Sequence, residues 1–207
     1  MRRINSFEEI DEVVDLLERG GVLVYPTETV YGIGCLAGWH SAIDRIAELK
    51  GSQPGASFLI LIRGKEHLNR FCAGIPASAE KLIDLFWPGP LTLVLPAIDG
   101  LHPRLVGPSG GIALRQSPYS WTQAILKRVN DGLISTSANP SGEVPPLTLD
   151  DLDSSIAERA DLVVDAGKLP GGISTILDLC EDPPLIRRGG AISLTEIRAL
   201  IPEARIS

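Results

Sequence analysis

The chain has 207 residues, of which 44% are apolar and 22% are charged. This length can bury one good core or two small ones, and we expect a single domain spanning residues 1–207. The 19 Lys and Arg residues against 26 Asp and Glu residues give a formal net charge of −7. Because nucleic-acid binding draws its affinity from basic surface, this balance argues against a general nucleic-acid coat and favours small-molecule chemistry.

No run of about 18 apolar residues predicts a membrane span, and the segment Met1–Ile10 is charged and helix-like, unlike a signal peptide. We therefore expect a soluble, cytoplasmic protein without a membrane partner. The cysteines Cys35, Cys72 and Cys180 are odd in number and widely spaced, which is typical of buried free thiols.

The first predicted elements are a helix, a short strand and a polar loop. Asn5 or Ser6 can cap the helix and Gly20 can end it. Its apolar face consists of Phe7, Ile10, Val13, Val14 and Leu17. The β-branched run Val22–Tyr25 predicts a strand that Pro26 stops, and Thr27–Gly34 is interpreted as a loop with functional groups.

Helices and strands mix along the rest of the chain. Further helices are predicted at Ser41–Lys50, Ala79–Phe86, Trp121–Val129, Leu149–Ala160 and Leu194–Ile201. Strands are predicted at Phe58–Ile62, Leu91–Leu95, Ile112–Arg115, Leu133–Thr136, Leu162–Asp165, Thr175–Leu179 and Leu185–Arg187. The lack of strict alternation predicts an α/β fold with a mixed, twisted sheet and helices outside, instead of a doubly wound sheet.

Hydroxyl and amide groups cluster in Ser135–Gly142 (STSANPSG), directly after a predicted strand. Such groups can donate to phosphate oxygens or complete a Mg²⁺ shell. The alternative is an ordinary Ser/Asn turn. A second candidate is Pro26–Gly32 (PTETVYG), whose hydroxyls follow a strand that opens into a cleft. Its alternative is a capped turn with a solvated Glu28.

Three cations are candidates for anion recognition. Arg115 and Arg187 end predicted strands where apolar residues are expected, and a guanidinium offers a fork to carboxylate or phosphate. Surface salt bridges are the alternative for each arginine. Lys50 closes a predicted helix, where a favourable charge at the helix C-terminus is equally consistent.

The sequence has no Ser-His-acid or Cys-His pattern that would indicate nucleophilic catalysis. His40, His67 and His102 lack triad or ligand spacing, so we expect them at the surface. No GxxxxGK[ST] or GxGxxG phosphate loop is present.

Six segments, in order, resemble the YrdC-like family, whose best-known members are threonylcarbamoyl-AMP synthases. They are Gly21–Gly34 (GVLVYPTETVYGIG), Phe86–Leu95 (FWPGPLTLVL), Ala113–Pro118 (ALRQSP), Ser135–Gly142 (STSANPSG), Ser174–Asp178 (STILD) and Ile186–Ala191 (IRRGGA). The likeness covers nearly the whole chain and looks like the short, single-domain form of the family.

The resemblance implies a sheet around a concave cleft and a reaction of L-threonine, bicarbonate and ATP with Mg²⁺. The products would be threonylcarbamoyl-AMP and pyrophosphate, passed to a tRNA threonylcarbamoyl transferase complex. The task is charge neutralisation and alignment of two anions, which needs little acid–base machinery.

By position in the family motifs, Thr27, Thr29 and Tyr31 would line the threonine end, and Arg115 would hold a carboxylate or phosphate. The resemblance places a further set of residues on the nucleotide: Lys50 over the phosphates, with Ser135, Ser137, Asn139, Ser174 and Arg187. Lys50 and Arg115 would be the catalytic cations.

One loop departs from the family pattern. Where the family reads K-x-R and then KPL, this chain keeps Lys50 but has Ser52 at the arginine and Ala56 at the later lysine. Three hypotheses follow. The chain is an active synthase in which Arg63, Arg187 or Arg188 replaces the arginine; it is a divergent paralogue that hydrolyses or transfers an acyl-adenylate; or it is a non-enzymatic RNA-binding module.

Overall fold

The structure is a computed structural model that describes residues 2–5, 9–53 and 55–207. Its strands are β1 (Arg3–Asn5), β2 (Leu23–Pro26), β3 (Tyr31–Gly34), β4 (Leu59–Leu61), β5 (Leu91–Pro96), β6 (Gly111–Arg115), β7 (Leu133–Ser137), β8 (Leu162–Asp165), β9 (Thr175–Asp178), β10 (Leu185–Arg188) and β11 (Arg205–Ile206). Its α-helices are α1 (Ile10–Glu18), α2 (His40–Leu49), α3 (Ala77–Phe86), α4 (Ser120–Leu126), α5 (Ser154–Arg159) and α6 (Leu194–Arg198). Short 3₁₀ helices span Lys65–Arg70, Pro103–Leu105 and Leu149–Asp151.

The chain divides into two compact units, one of residues 1–56 and 119–171, the other of residues 57–118 and 172–207. The single domain expected from length stays a prediction. In the first unit the strand order is β1-β8-β2-β3-β7. Strand β8 lies parallel to β1 and β2, whereas β3 runs antiparallel to β2 and β7.

In the second unit the strand order is β4-β6-β5-β9-β10-β11. Pairing is parallel for β4 with β6, β5 with β9 and β10 with β11, and antiparallel for β5 with β6 and β9 with β10. Both units therefore have mixed sheets and flanking helices, which confirms the predicted α/β class.

One glycine fixes how closely two strands of the first unit approach. A Cβ on Gly34 would lie 1.8 Å from the carbonyl oxygen of Ile134. Strand β3 can therefore pass β7 at this point only because residue 34 has no side chain.

The N-terminal prediction needs correction. Arg3–Asn5 is not helical but forms β1, which pairs with β8 about 160 residues further along the chain. Asn5 therefore does not cap α1, whose N-cap is Glu9 without a side-chain cap bond. The predicted Ser6 cap and the apolar position Phe7 lie outside the described residues.

Two further predicted elements differ from the structure. The segment Thr27–Gly34 is only partly loop, because its second half is β3 and forms a hairpin with β2. The helix predicted over Leu149–Ala160 is interrupted: its first turn is 3₁₀, and α5 begins after Asp153, whose carboxylate accepts from Ser155 N at 2.8 Å. An Asx cap restarts the helix at this point.

The three thiols are free as predicted, although only two of them are buried, and the predicted exposure of two histidines is wrong. Cys35 and Cys72 are buried and Cys180 is half-buried, and desolvation raises the pKa of Cys35 and Cys72 to about 12. His67 and His102 are buried instead of exposed. In the described parts of the chain, no helix is long and apolar enough to cross a membrane.

Candidate functional site

Lys50 is positioned by the way α2 ends. It is the C-cap residue, and Gly51 follows with a φ of 56°, in the left-handed region that glycine adopts without strain. The N–H of Gly51 donates to Glu48 O at 3.0 Å and that of Ser52 to Ala47 O at 2.9 Å. This Schellman arrangement ends the helix and turns Lys50 inwards.

The Lys50 ammonium binds backbone carbonyl groups of the hydroxyl-rich segment Ser135–Gly142. Its Nζ donates to the carbonyl oxygens of Ser137 at 2.6 Å and Asn139 at 2.7 Å, and its own carbonyl accepts from Ser141 N at 2.8 Å. Lys50 is only 6% exposed, and desolvation lowers its pKa to about 8. The structure thus brings together the lysine and the serine cluster that the sequence treated as separate candidates.

The serine hydroxyls of β7 lie on one face of the strand. Ser135 and Ser137 are two residues apart, so their side chains share a face. Within the described chain neither hydroxyl has a protein hydrogen-bond partner. Asn139 is bound differently: its Nδ2 donates to Pro140 O and Glu143 O, both at 2.8 Å, and its buried Oδ1 has no partner among the described residues.

Thr27 organises the hairpin turn between β2 and β3. Its Oγ1 donates to Val30 O at 2.7 Å and accepts from the N–H groups of Thr29 and Val30, both at 3.2 Å. The two threonine hydroxyls lie 3.1 Å apart. The capped-turn interpretation therefore describes this segment well, although Glu28 is half-buried instead of solvated.

Tyr31 is fully buried, and its hydroxyl is used by the protein. It donates to Gly167 O at 2.8 Å and accepts from Ala166 N at 2.9 Å. Burial raises the pKa of the phenol. Tyr31 thus anchors β3 to the segment after β8, and its contact with threonine stays a prediction.

The second unit places Arg115 and Ser174 near a residue that sequence reasoning did not single out. Ser174, directly before β9, has its Oγ 3.0 Å from Oγ1 of Thr92 on β5, and both residues are buried. Arg115 ends β6, is 4% exposed, and its carbonyl accepts from Ile62 N at 3.0 Å. The signal for Thr92 was a hydroxyl inside the apolar run LTLVL.

The two adjacent arginines of β10 have opposite environments. Arg187 donates from Nε and Nη2 to Asp178 Oδ2, both at 3.1 Å, and also pairs with Glu181. Arg188 instead donates to Ser174, from Nε to the carbonyl oxygen at 3.1 Å and from Nη2 to Oγ at 2.9 Å. The salt-bridge alternative therefore describes Arg187, and Arg188 is the guanidinium that lies at Ser174.

The loop after Lys50 contains no arginine that could replace the one missing from the family's K-x-R pattern. Ser52 is half-buried and lies three residues after Leu49, the last residue of α2. Arg63, one of the suggested replacements, pairs with Glu66 at 3.2 Å. In the described ranges no group of three His, Cys, Asp or Glu residues could hold a metal ion.

Comparison with known proteins identifies the family. The model of the Sua5, YciO and YrdC family, described as telomere recombination, matches residues 15–190. The chain belongs to this family. The threonylcarbamoyl-AMP synthase of Pyrococcus abyssi (strain GE5 / Orsay) is 33% identical over 209 residues, which cover 98% of this chain and 62% of that relative.

Solved structures agree with this assignment. The match to the crystal structure of P. abyssi Sua5 complexed with L-threonine covers 100% of this chain and 62% of the P. abyssi chain, with 32% identity and a TM-score of 0.88. E. coli YciO shares the fold, with a TM-score of 0.83 and 24% identity over 95% of this chain and 98% of its own. This chain therefore spans less than two thirds of the length of the P. abyssi protein.

Proposed function

We propose that the chain is a threonylcarbamoyl-AMP synthase. The observation that carries the proposal is the Lys50 ammonium, which donates to the carbonyl oxygens of Ser137 and Asn139 next to two serine hydroxyls that have no hydrogen-bond partner among the described residues. A relative at 33% identity is a threonylcarbamoyl-AMP synthase, which supports the same activity here. The reaction class is nucleotidyl transfer.

The chemistry suits the groups present. The amine of L-threonine and bicarbonate give an N-carboxylate and water, and an oxygen of that carboxylate attacks the α-phosphorus of ATP as pyrophosphate leaves. The protein must hold the two anions in line and neutralise the phosphate charge. Lys50 supplies positive charge beside the loop, and Ser135 and Ser137 supply hydroxyl donors.

L-threonine is the proposed amino-acid substrate, as in the P. abyssi Sua5 complex. Thr29 is half-buried, and we assign it to the amino acid's side of the reaction. Thr27 and Tyr31 act by shaping the turn that carries Thr29, because their hydroxyls already bind the backbone.

Magnesium would enter with ATP. Mg²⁺ prefers oxygen ligands and keeps several waters, so phosphate oxygens would supply much of its shell. Asn139 Oδ1, which has no partner in the part of the chain that the structure describes, and the hydroxyls of Ser135 and Ser137 are hard oxygen donors that fit such an ion. When bound, the ion would neutralise phosphate charge.

By resemblance to the family, the product would pass to a tRNA threonylcarbamoyl transferase complex in the cytoplasm. An acyl-adenylate is reactive, so a second enzyme must consume it. The second candidate function is hydrolysis or transfer of an acyl-adenylate. Ser52, Ala56 and the neutralised Arg187 favour it, because they leave fewer cations for a triphosphate than the family pattern supplies.

The experiment is pyrophosphate release from ATP and Mg²⁺ by the purified protein, with L-threonine and bicarbonate present together or omitted in turn. We expect release only when both co-substrates are present. A Ser52→Arg variant is measured beside it, with Ser57→Arg as the control, because Ser57 is exposed in the same loop and is not a cation position of the family pattern. Adenylate hydrolysis without threonine-dependent release, in both wild type and Ser52→Arg, would contradict the synthase proposal and favour the second candidate.

A further inference from the structure

Residues 166–171 form a short strap that runs from the end of β8 to the last residue of the first unit. The strap begins with a tight turn, in which Gly167 has a φ of 70° and donates its N–H to Asp165 Oδ1 at 2.9 Å. Asp165 also forms an ion pair with Arg3 on the neighbouring strand β1. This Asx turn fixes the direction in which the strap leaves the sheet.

The strap is bound to the hairpin of β2 and β3 at both of its ends. Near its start, the Tyr31 hydroxyl donates to Gly167 O at 2.8 Å and accepts from Ala166 N at 2.9 Å. At its other end, Gly171 N donates to Thr29 O at 2.8 Å. Because Thr29 and Tyr31 are two residues apart in the hairpin, the strap and the start of β3 form a closed ring of hydrogen bonds.

The middle of the strap is held by the chain that follows the hydroxyl-rich segment. Leu169 is buried, and its N–H donates to Leu147 O at 2.8 Å. The preceding carbonyl, that of Pro146, accepts from Tyr31 N at 3.0 Å. The strap is therefore fixed at its start, middle and end, in each case by residues of the first unit.

The strap supplies a short hydrogen bond to a turn whose internal bonds are long. Thr27 Oγ1 accepts from the N–H groups of Thr29 and Val30 at 3.2 Å, the long end of the normal range. The bond from Gly171 N to Thr29 O is 2.8 Å long. Because the peptide group is planar, fixing this carbonyl also fixes the plane of the peptide between Thr29 and Val30. The orientation of Thr29 therefore depends on the strap.

The Tyr31 hydroxyl is committed to the strap. Tyr31 is fully buried, and its proton is directed at Gly167 O, with Asp165 Oδ1 as a longer second acceptor at 3.3 Å. Burial raises the pKa of the phenol, so the hydroxyl keeps the proton that it donates. Any effect of this hydroxyl on a substrate at Thr29 therefore passes through the strap.

We propose that residues 166–171 are a positioning strap for the amino-acid substrate, and that Tyr31 is a positioning residue that acts through it. The strap holds the Thr29 peptide in the orientation that binds L-threonine. This inference rests on the proposed synthase function, which assigns Thr29 to the amino acid. It gives Tyr31 an indirect role in place of the direct contact that the motif comparison implies.

The test is calorimetric titration of L-threonine, and separately of ATP with Mg²⁺, into wild type, Tyr31→Phe, Gly167→Ala and the double variant. Tyr31→Phe removes the hydroxyl. Gly167→Ala strains the backbone of the strap without a clash, since a Cβ there meets nothing within 4 Å. We expect each single variant to weaken L-threonine binding by about two- to tenfold and to leave ATP affinity unchanged. The double variant should lose no more than the weaker-binding single variant, because both changes act on one contact.

Tyr25→Phe and Gly100→Ala are the matched controls. Tyr25 is a second fully buried tyrosine of the first unit, and its hydroxyl donates to Ile134 O on β7, at 3.1 Å, instead of to the strap. Gly100 has a φ of 82°, and a Cβ there also meets nothing within 4 Å. Both controls should bind L-threonine as wild type does.

Unchanged L-threonine affinity in either single variant would overturn the inference. So would additive losses in the double variant, because Tyr31 would then act independently of the strap, and so would equal losses in the controls. If Tyr31→Phe does not fold, the comparison of Gly167→Ala with Gly100→Ala decides. A wild type that does not bind L-threonine would overturn the inference together with the synthase proposal. The expected losses in a protein that forms no adenylate would retain the inference and contradict the synthase proposal alone.

Discussion

Burial of Lys50 makes the stability of the protein depend on pH. The pKa of Lys50 is about 8 in the folded protein against an ordinary value of 10.5. The unfolded chain therefore binds more protons between these pH values, and the free energy of unfolding should rise with pH in this window. Below pH 8 the full cost of burying the ammonium is present, about 3 kcal/mol before its hydrogen bonds are counted.

We predict that the free energy of unfolding does not rise in this way when the Lys50 amine is removed. Between pH 8 and pH 10 the free energy of unfolding of wild type should increase by about 2 kcal/mol relative to Lys50→Met. Urea denaturation at the two pH values measures it, and the other titrating groups cancel because both proteins contain them. Parallel pH profiles would show that Lys50 is not desolvated as the structure describes.

The hydroxyl of Ser137 provides a second prediction. Because it has no protein partner in the described chain, its removal should leave stability unchanged and weaken ATP binding by about two- to tenfold. The measurement is ATP affinity in the presence of Mg²⁺. Ser141→Ala is the control, since Ser141 is an exposed residue of the same loop that contacts Lys50 only through its backbone. An equal loss in both variants would count against a specific contact at Ser137.

Sequence reasoning identified many of these side chains but not their hydrogen-bond and ion-pair partners. Lys50, Ser135 and Ser137 stood out because polar residues follow apolar runs. The exchange of roles between Arg187 and Arg188 depends on a bulge in β10, and no local pattern in LIRR predicts a bulge. The Tyr31 hydroxyl donates its hydrogen bond to the carbonyl oxygen of Gly167, which is 136 residues away, so no local pattern predicts this contact.

At the scale of elements, the packing of Gly190, after β10, against the chain just before β9 supports a third prediction. Gly190→Ala should displace the Ser174 backbone and lower the free energy of unfolding by roughly 1–3 kcal/mol, because its Cβ would lie 2.5 Å from Ser174 C. Gly189→Ala is the matched control, since a Cβ there meets nothing within 4 Å. Urea denaturation of the two variants checks the prediction, and equal stabilities would show that residue 190 tolerates a side chain.

The elements themselves were predictable where local pattern and burial agree. Helix α2 and strands β5 and β8 lie within a residue or so of their predicted bounds, because apolar periodicity and flanking glycine or proline mark them. The short strands β1 and β11 were missed, since each is defined only by its pairing with a distant strand. Asp153 broke a predicted helix because a capping residue competes with helix continuation.

At the scale of the whole molecule, net charge and family membership favour the same class of chemistry. A net charge of −7 disfavours the RNA-binding alternative, since phosphate-driven affinity needs a basic surface. We therefore expect salt-dependent tRNA binding to be absent at physiological ionic strength, which a filter-binding titration would check. Tight tRNA binding without turnover would instead support the RNA-binding alternative.

The central claim is that the chain joins L-threonine, bicarbonate and ATP into one adenylate. The most direct measurement is mass spectrometry of the reaction products formed with Mg²⁺, ATP, L-threonine and isotopically labelled bicarbonate. We predict a threonylcarbamoyl adenylate that carries the label in its carbamoyl carbon and is missing when L-threonine is omitted. ATP bound by a folded protein with no labelled adenylate formed would contradict the account.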